Sequence, residues 1–236
     1  MLEIDGIVIG VSKYKDFDSV INILTKDSVV AVLGRGSFRN DSKTNKFLSL
    51  FLFGKFDLYR GGVGSYKLRD CKINYEYRKL LKNDDEYLIF DLLSEIIFKF
   101  TIENNDVGGY FELLSKVLNS FKNKDNWYAI TLYFIAQILV LNGFGFNFDR
   151  CLECGETNVT GFDFATGCSV CSEHYTPTTL GLDNKTFSFY KNLFYGDFNE
   201  ISSYIIDRDI FIDCIVNFNT FILSNLNIKL ISVSLF

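Results

Sequence analysis

The chain has 236 residues, 48% of them apolar and 17% aromatic, which excludes a disordered chain and suffices for a substantial buried core. Its net charge of −5 excludes indiscriminate polyanion binding by the whole chain, and its single proline and its many Phe, Ile, Asn, Lys and Asp match A/T-rich coding, so the Lys and Asn counts carry little functional weight. The charge is uneven: residues 1–80 hold 14 Lys/Arg against 9 Asp/Glu and residues 81–236 hold 10 against 20, pointing to an N-terminal module that meets an anion.

Residues 4–11 are a β-branched run that reads as a strand, followed by a polar turn at 12–16 and a second strand at 20–24. A third strand is expected at 28–33, then a polar, Gly-rich loop over 34–43. Residues 47–53 form an apolar lead-in to a strand at 54–59, and a hairpin turn at 60–64 leads into a strand at 66–73. Five short strands with a loop after the third fit a small barrel such as an OB-fold.

From Tyr75 the periodicity becomes helical. Helices are expected over 87–98 and 109–121, the latter with Phe111, Leu114, Val117, Leu118 and Phe121 on one face. A connector at 122–125 precedes an apolar helix at 127–142, with Asp125 or Asn126 as N-cap and Gly143 as its end. The apolar run at 128–141 contains Thr131 and Gln137 and is short for a bilayer span. Further helices are expected at 185–195, 201–204 and 210–224. With no charged-then-apolar leader after Met1, the expected location is the cytoplasm.

Between these helical stretches lie Cys151-Leu-Glu-Cys154 and, after thirteen residues, Cys168-Ser-Val-Cys171. Two Cys-x-x-Cys pairs supply four soft ligands for a tetrahedral zinc ion, here as a closed, structural ribbon. A redox dithiol gains nothing from a second pair, and a disulfide framework implies secretion. His174, the sole histidine, could replace one ligand; a surface position is the simpler reading. Cys71 and Cys214 lie in apolar contexts and read as core residues.

Catalytic signatures are missing. There is no Gly-x-x-x-x-Gly-Lys-Ser/Thr loop, and Gly61-Gly-Val-Gly64 lacks the Lys-Ser/Thr that phosphate cradling needs. Asp84, Asp85 and Glu86 read as a helix start that complements the dipole. The remaining chemistry is electrostatic: Arg35, Arg39, Lys43 and Lys46 recur every three or four residues through the Gly-rich loop, with Lys13, Lys15, Arg60, Lys67 and Arg69 nearby. Such a face binds single strands through phosphate attraction, and Tyr59 and Tyr66 are candidates for base stacking or for barrel packing.

The order of parts resembles the bacterial RecO recombination-mediator family. Gly6-Ile-Val-Ile with Tyr14-Lys-Asp-Phe-Asp18 and Val20-Ile-Asn-Ile-Leu-Thr25 resembles the family's opening strands. Arg35-Gly-Ser-Phe-Arg39 with Ser42 is similar to its basic loop, with Phe38 where a second arginine is usual and Asn40-Asp41 where proline and lysine are common. Phe56-Asp-Leu-Tyr-Arg-Gly61, the cysteine ribbon with Gly155, Phe164 and Gly167, and Lys229-Leu-Ile-Ser232 extend the resemblance over nearly the full length.

The resemblance implies an α+β fold: an N-terminal OB-fold barrel for DNA at 1–78, a helical domain at 79–148 and 177–236, and an inserted four-cysteine zinc ribbon at 149–176. It implies a non-catalytic DNA repair and homologous-recombination mediator, cytoplasmic and nucleoid-associated. Such a protein binds single- and double-stranded DNA, anneals complementary strands, and partners with RecR and with the C-terminal tail of single-stranded-DNA-binding protein. It places DNA contact on Arg35 and Arg39. The alternative, motivated by the acidic C-terminal half and the sequence pI near 5.0, is a protein-interaction scaffold whose DNA contact is incidental.

Overall fold

A computed structural model describes residues 2–39, 41–61, 65–102, 106–122 and 126–236, arranged as two compact units, Met1–Lys122 and Asn123–Phe236. The fold is α+β.

In the N-terminal unit, β1 (Leu2–Tyr14), β2 (Asp18–Leu24), β3 (Val29–Gly34), β4 (Leu52–Arg60) and β5 (Tyr66–Glu76) close in the order β1-β2-β3-β5-β4. Closure comes from antiparallel β1–β4 pairing, Leu2 opposite Leu58 through Ile7 opposite Phe53, and from a short parallel β3–β5 contact at Val32–Tyr66 and Leu33–Lys67. Alternate residues point inward, as a two-residue period requires. Ile21 and Ile23 of β2 meet Leu52, Phe56 and Leu58 of β4 in the interior, with Phe47 and Cys71. Burial pushes the Cys71 thiol up to about 12, as suits a packing residue.

Strand β1 is longer than the expected 4–11. The chain reverses only at Lys15, whose φ is +57°, and Gly6 to Ile9 are buried on consecutive positions. Their outer side is covered by α1 (Asp84–Thr101), whose Ser94 hydroxyl donates to the Ile9 carbonyl at 2.7 Å. A Cβ on Gly6 would lie 2.8 Å from the Leu24 carbonyl oxygen and closer still to Ile23, so only glycine lets β1 and β2 approach there. Of the hairpin turn expected at 60–64, residues 62–64 lie outside the described residues.

Helix α1 starts where the acidic cluster placed it. Asn83 caps it by accepting from the Glu86 N–H at 3.0 Å, while the Glu86 carboxylate accepts from the Lys82 N–H at 2.5 Å. This reciprocal cap satisfies two otherwise unpaired donors. Asn83→Ala is expected to cost about 1 kcal/mol of stability, read from the urea midpoint. Helix α2 (Gly108–Phe121) completes this unit.

The C-terminal unit contains α3 (Trp127–Leu141), α4 (Asn184–Tyr195), α5 (Phe198–Ile201) and α6 (Arg208–Leu226). Helix α3 is buried on almost every side, which explains its lack of polar periodicity. Asp125 lies outside the described residues. Asn126 does not cap α3 with its side chain; its amide donates instead to the Ser202 carbonyl at 2.5 Å. The short helix expected at 201–204 lies at Phe198–Ile201, because Asp197 caps the Asn199 N–H. Helix α6 is long and apolar enough by composition to cross a membrane, and it buries Phe211, Cys214, Ile215, Phe218, Phe221 and Ile222 within this unit.

Between α3 and α4 three short strands form a sheet in the order β7-β6-β8: β6 (Gly161–Asp163), β7 (Cys168–Val170) and β8 (Thr179–Gly181). Its foot is aromatic. Phe146 stacks on Phe194 of α4 at 4.4 Å and meets Phe162 at 5.2 Å and Phe221 of α6 at 4.7 Å.

Candidate metal centre and nucleic-acid interface

At the other end of the small sheet two short turns face each other. In the first, the Gly155 N–H donates to the Cys151 carbonyl at 3.0 Å and the Cys151 N–H to the Glu156 carbonyl at 2.8 Å. Gly155 takes φ +74°, a left-handed position that glycine holds without strain. In the second, the His174 N–H donates to the Cys171 carbonyl at 3.1 Å. The turns thus have equal spacing, Cys151-x-x-Cys154 and Cys171-x-x-His174.

They bring four donor atoms within 4.8 Å of one another: the thiols of Cys151, Cys154 and Cys171 and a ring nitrogen of His174. The His174 Nδ1 lies 3.2 Å from the Cys171 sulfur and 3.8 Å from that of Cys151, and the Cys154 and Cys171 sulfurs are 3.9 Å apart. Tetrahedral zinc with ordinary Zn–S and Zn–N bonds separates its ligands by about 3.5–3.8 Å, so the donor set fits such an ion. Backbone N–H groups of Cys154 and Cys171 aimed at the Cys151 sulfur bring its thiol down to about 6, favouring the thiolate that binds metal.

Cys168, expected as the third ligand, is not in this group. It opens β7 opposite Asp163, and its thiol is directed to the Thr166 carbonyl at 3.7 Å. Three residues of extended strand carry the chain about 10 Å, whereas two ligands from one turn must share a point. The strand therefore separates Cys168 from Cys171, and His174 stands where the second thiolate was expected. The signal was present in the sequence as Cys171-Ser-Glu-His174.

At one end of the barrel the Gly-rich loop folds back on the β1–β2 turn. The Gly36 N–H donates to the Asp18 carboxylate at 2.7 Å, the Phe38 N–H to the Phe17 carbonyl at 2.9 Å, and the Ser37 hydroxyl to that of Ser19 at 2.8 Å. Gly36 turns with φ +60°. This fixes a hollow of about 540 Å³ walled by Tyr14, Lys15, Arg35, Arg39 and Lys67, with Asp18 beneath the loop.

Aromatic rings surround these cations. Tyr14, Phe17, Phe38 and Tyr59 are 45%, 50%, 39% and 40% exposed, far more than packing requires. The Arg39 guanidinium lies 5.4 Å over Phe17, Lys15 5.3 Å over Tyr14 and Lys67 5.9 Å over Tyr59.

Arg35 and Arg39 are thus brought together, with Lys15 and Lys67. Lys43 and Lys46 are exposed but do not line the hollow; Lys46 lies over the Phe47 ring at 4.8 Å. Tyr66, a stacking candidate, packs partly against the barrel core. Lys15 and Lys67 read in the sequence as cations near the loop, whereas Tyr14 reads as part of the turn and of the opening-strand resemblance, although a Tyr-Lys-x-Phe hairpin tip carries the same mixture of cation and ring.

A family profile described as "Recombination protein O C terminal" matches residues 85–218, more than half of the chain. Among similar proteins, the DNA repair protein RecO of Lactobacillus helveticus (strain DPC 4571) is 29% identical over 181 residues, 73% of this chain and 70% of that protein. The protein of the same name from Lactobacillus acidophilus is 28% identical over 181 residues, with the same shares covered. That of Clostridium novyi (strain NT) is 24% identical over 179 residues, 71% of this chain and 68% of the relative. The profile runs from the start of α1 into α6, through the turns that gather the cysteines and the histidine, and the chain belongs to the RecO family of DNA repair proteins.

Proposed function

We propose that this chain is a non-catalytic mediator of recombinational DNA repair whose barrel is an OB-fold that binds single- and double-stranded DNA at the hollow around Arg35 and Arg39. It anneals complementary strands and acts with RecR to load recombinase onto DNA coated by single-stranded-DNA-binding protein, whose C-terminal tail it engages. The metal is zinc, held by Cys151, Cys154, Cys171 and His174. A filled shell of four protein donors leaves no open position for water, so the ion is structural.

The observation that carries the DNA reading is the convergence of four cations, Lys15, Arg35, Arg39 and Lys67, around one hollow, three of them lying over the exposed rings of Tyr14, Phe17 and Tyr59. Cations supply phosphate attraction without regard to sequence, and the rings supply faces on which unpaired bases stack. The strand order β1-β2-β3-β5-β4 supports the OB-fold assignment.

Arg35→Glu/Arg39→Glu is expected to weaken binding to both single and double strands by about tenfold or more at low salt, and to flatten the salt dependence by roughly one to two units of slope. Fluorescence anisotropy on labelled oligonucleotides over a salt series measures both. Unchanged affinity in the double variant would sink the assignment of the hollow. Tyr14→Ala/Phe17→Ala, by contrast, is expected to weaken single strands by roughly tenfold while leaving duplex affinity nearly unchanged, because paired bases present no free face.

A further inference from the structure

The C-terminal unit carries a second concavity, chemically opposite to the first. A groove of about 820 Å³ lies between α4 and α6, lined also by Leu182 and by Tyr204–Ile206. Ile210, Asp213, Cys214 and Asn217 line it from α6 at helical spacing, and Phe189 and Tyr190 line it from α4.

Its floor asks for no polar ligand. The Tyr190 hydroxyl donates to the Cys214 sulfur at 3.2 Å and accepts from the Asn217 amide at 3.2 Å. The rim, however, is apolar and open. Ile205 is 94% exposed, and Ile210, Val216 and Leu180 are 49%, 47% and 45% exposed, all around this one groove. Scattered exposed aliphatics are ordinary; four converging on one concavity mark an interaction surface.

The charge around it selects the occupant. Asp183 and Asp213 line the groove, Asp209 lies one turn before Asp213 on the same side of α6, and Lys185 is the one cation among the lining residues. A second copy docking face to face would set Asp209 and Asp213 against themselves. Nucleic acid and anionic lipid carry the same sign as the rim. A segment bearing aliphatic anchors and lysine or arginine meets both the floor and the rim.

We propose that the α4–α6 groove docks a basic, amphipathic segment of a partner protein, using Ile205, Ile210 and Val216 as apolar contacts and Asp209 and Asp213 as its charged rim. This proposal does not depend on the DNA reading.

The test uses the full chain and a fluorescein-labelled peptide of leucine and lysine in helical alternation, with a counterpart in which glutamate replaces lysine. The lysine peptide is expected to bind about tenfold more tightly than the glutamate one. Ile205→Ser/Ile210→Ser and Asp209→Lys/Asp213→Lys are each expected to weaken it by about tenfold. Asp84→Lys/Glu112→Lys makes the same charge change in the N-terminal unit and is expected to leave binding intact. Equal affinity for the two peptides overturns the proposal. So does an equal loss in the Asp84/Glu112 variant, which would mean general attraction to an acidic protein. Self-association abolished by Ile205→Ser/Ile210→Ser would assign the groove to a second copy and overturn it as well. DNA affinity is expected to be unchanged by the groove variants, which separates failure here from failure of the DNA assignment.

Discussion

Phe146→Ala is expected to destabilise the C-terminal unit by about 3–5 kcal/mol, the range for removing a buried ring that neighbours cannot replace. Phe146 is 1% exposed and stands among Phe162, Phe194, Phe218 and Phe221, two of them on α6, one on α4 and one on β6. Collapse is obstructed because these partners approach from separate elements. Gly167 is fitted against the same ring: a Cβ there would lie 2.8 Å from Phe221 and 2.9 Å from Phe146, on a backbone with φ +70°. The loss should appear in urea unfolding followed by far-ultraviolet circular dichroism. A change below about 1 kcal/mol would show that the site repacks and that Phe146 is not the pivot. The barrel core, built on Ile21, Ile23, Phe56 and Leu58, contains none of these rings, so DNA affinity measured on folded Phe146→Ala should be retained.

This packing also bears on what the proposed zinc ion would do for the fold. The small sheet is held at its foot by aromatic contacts, and the cluster of Cys151, Cys154, Cys171 and His174 lies at its other end. Loss of zinc should therefore free the turns around Cys151 and Cys171 while the contacts of Phe162 with Phe146 and of Phe164 with Tyr190 of α4 persist. Hydrogen exchange on chelator-treated protein is expected to show lost protection near those turns and retained protection in α3 and α6.

Much of the fold was legible because local and tertiary demands agree. The alternation in β2 and β4 and the face of α2 follow from one buried side each. The errors arise where tertiary contacts decide. Strand β1 runs past its β-branched core because β2 pairs with it as far as Tyr14–Asp18. Asn126 is a good cap by type, yet its amide is taken by Ser202, far away in sequence. The candidate sites were legible in residue type, and their grouping comes from the structure: Arg35, Arg39 and Lys15 read as neighbouring cations, and the loop's attachment through Asp18 and Phe17 sets them around one hollow with Tyr14, which Lys43 and Lys46 do not line.

The ligand set offers the sharpest separation. Cys168→Ser is expected to retain stoichiometric zinc with affinity within about twofold of the parent, since its thiol faces the Thr166 carbonyl and burial holds it protonated. His174→Ala and Cys171→Ser should each lose roughly a hundredfold or more in affinity, because each removes a donor from a closed shell. His174→Cys should restore much of the loss, since a thiolate at that position keeps the Cys-x-x-Cys spacing of the first turn. Competition against a chromophoric chelator measures all four, and circular dichroism checks that each variant is folded. The opposite pattern, with Cys168→Ser releasing zinc and His174→Ala retaining it, would return the site to four cysteines. It would also require β7 to give up its extended pairing with β6 at Asp163 and Cys168, the one rearrangement that could bring the Cys168 sulfur round to the metal.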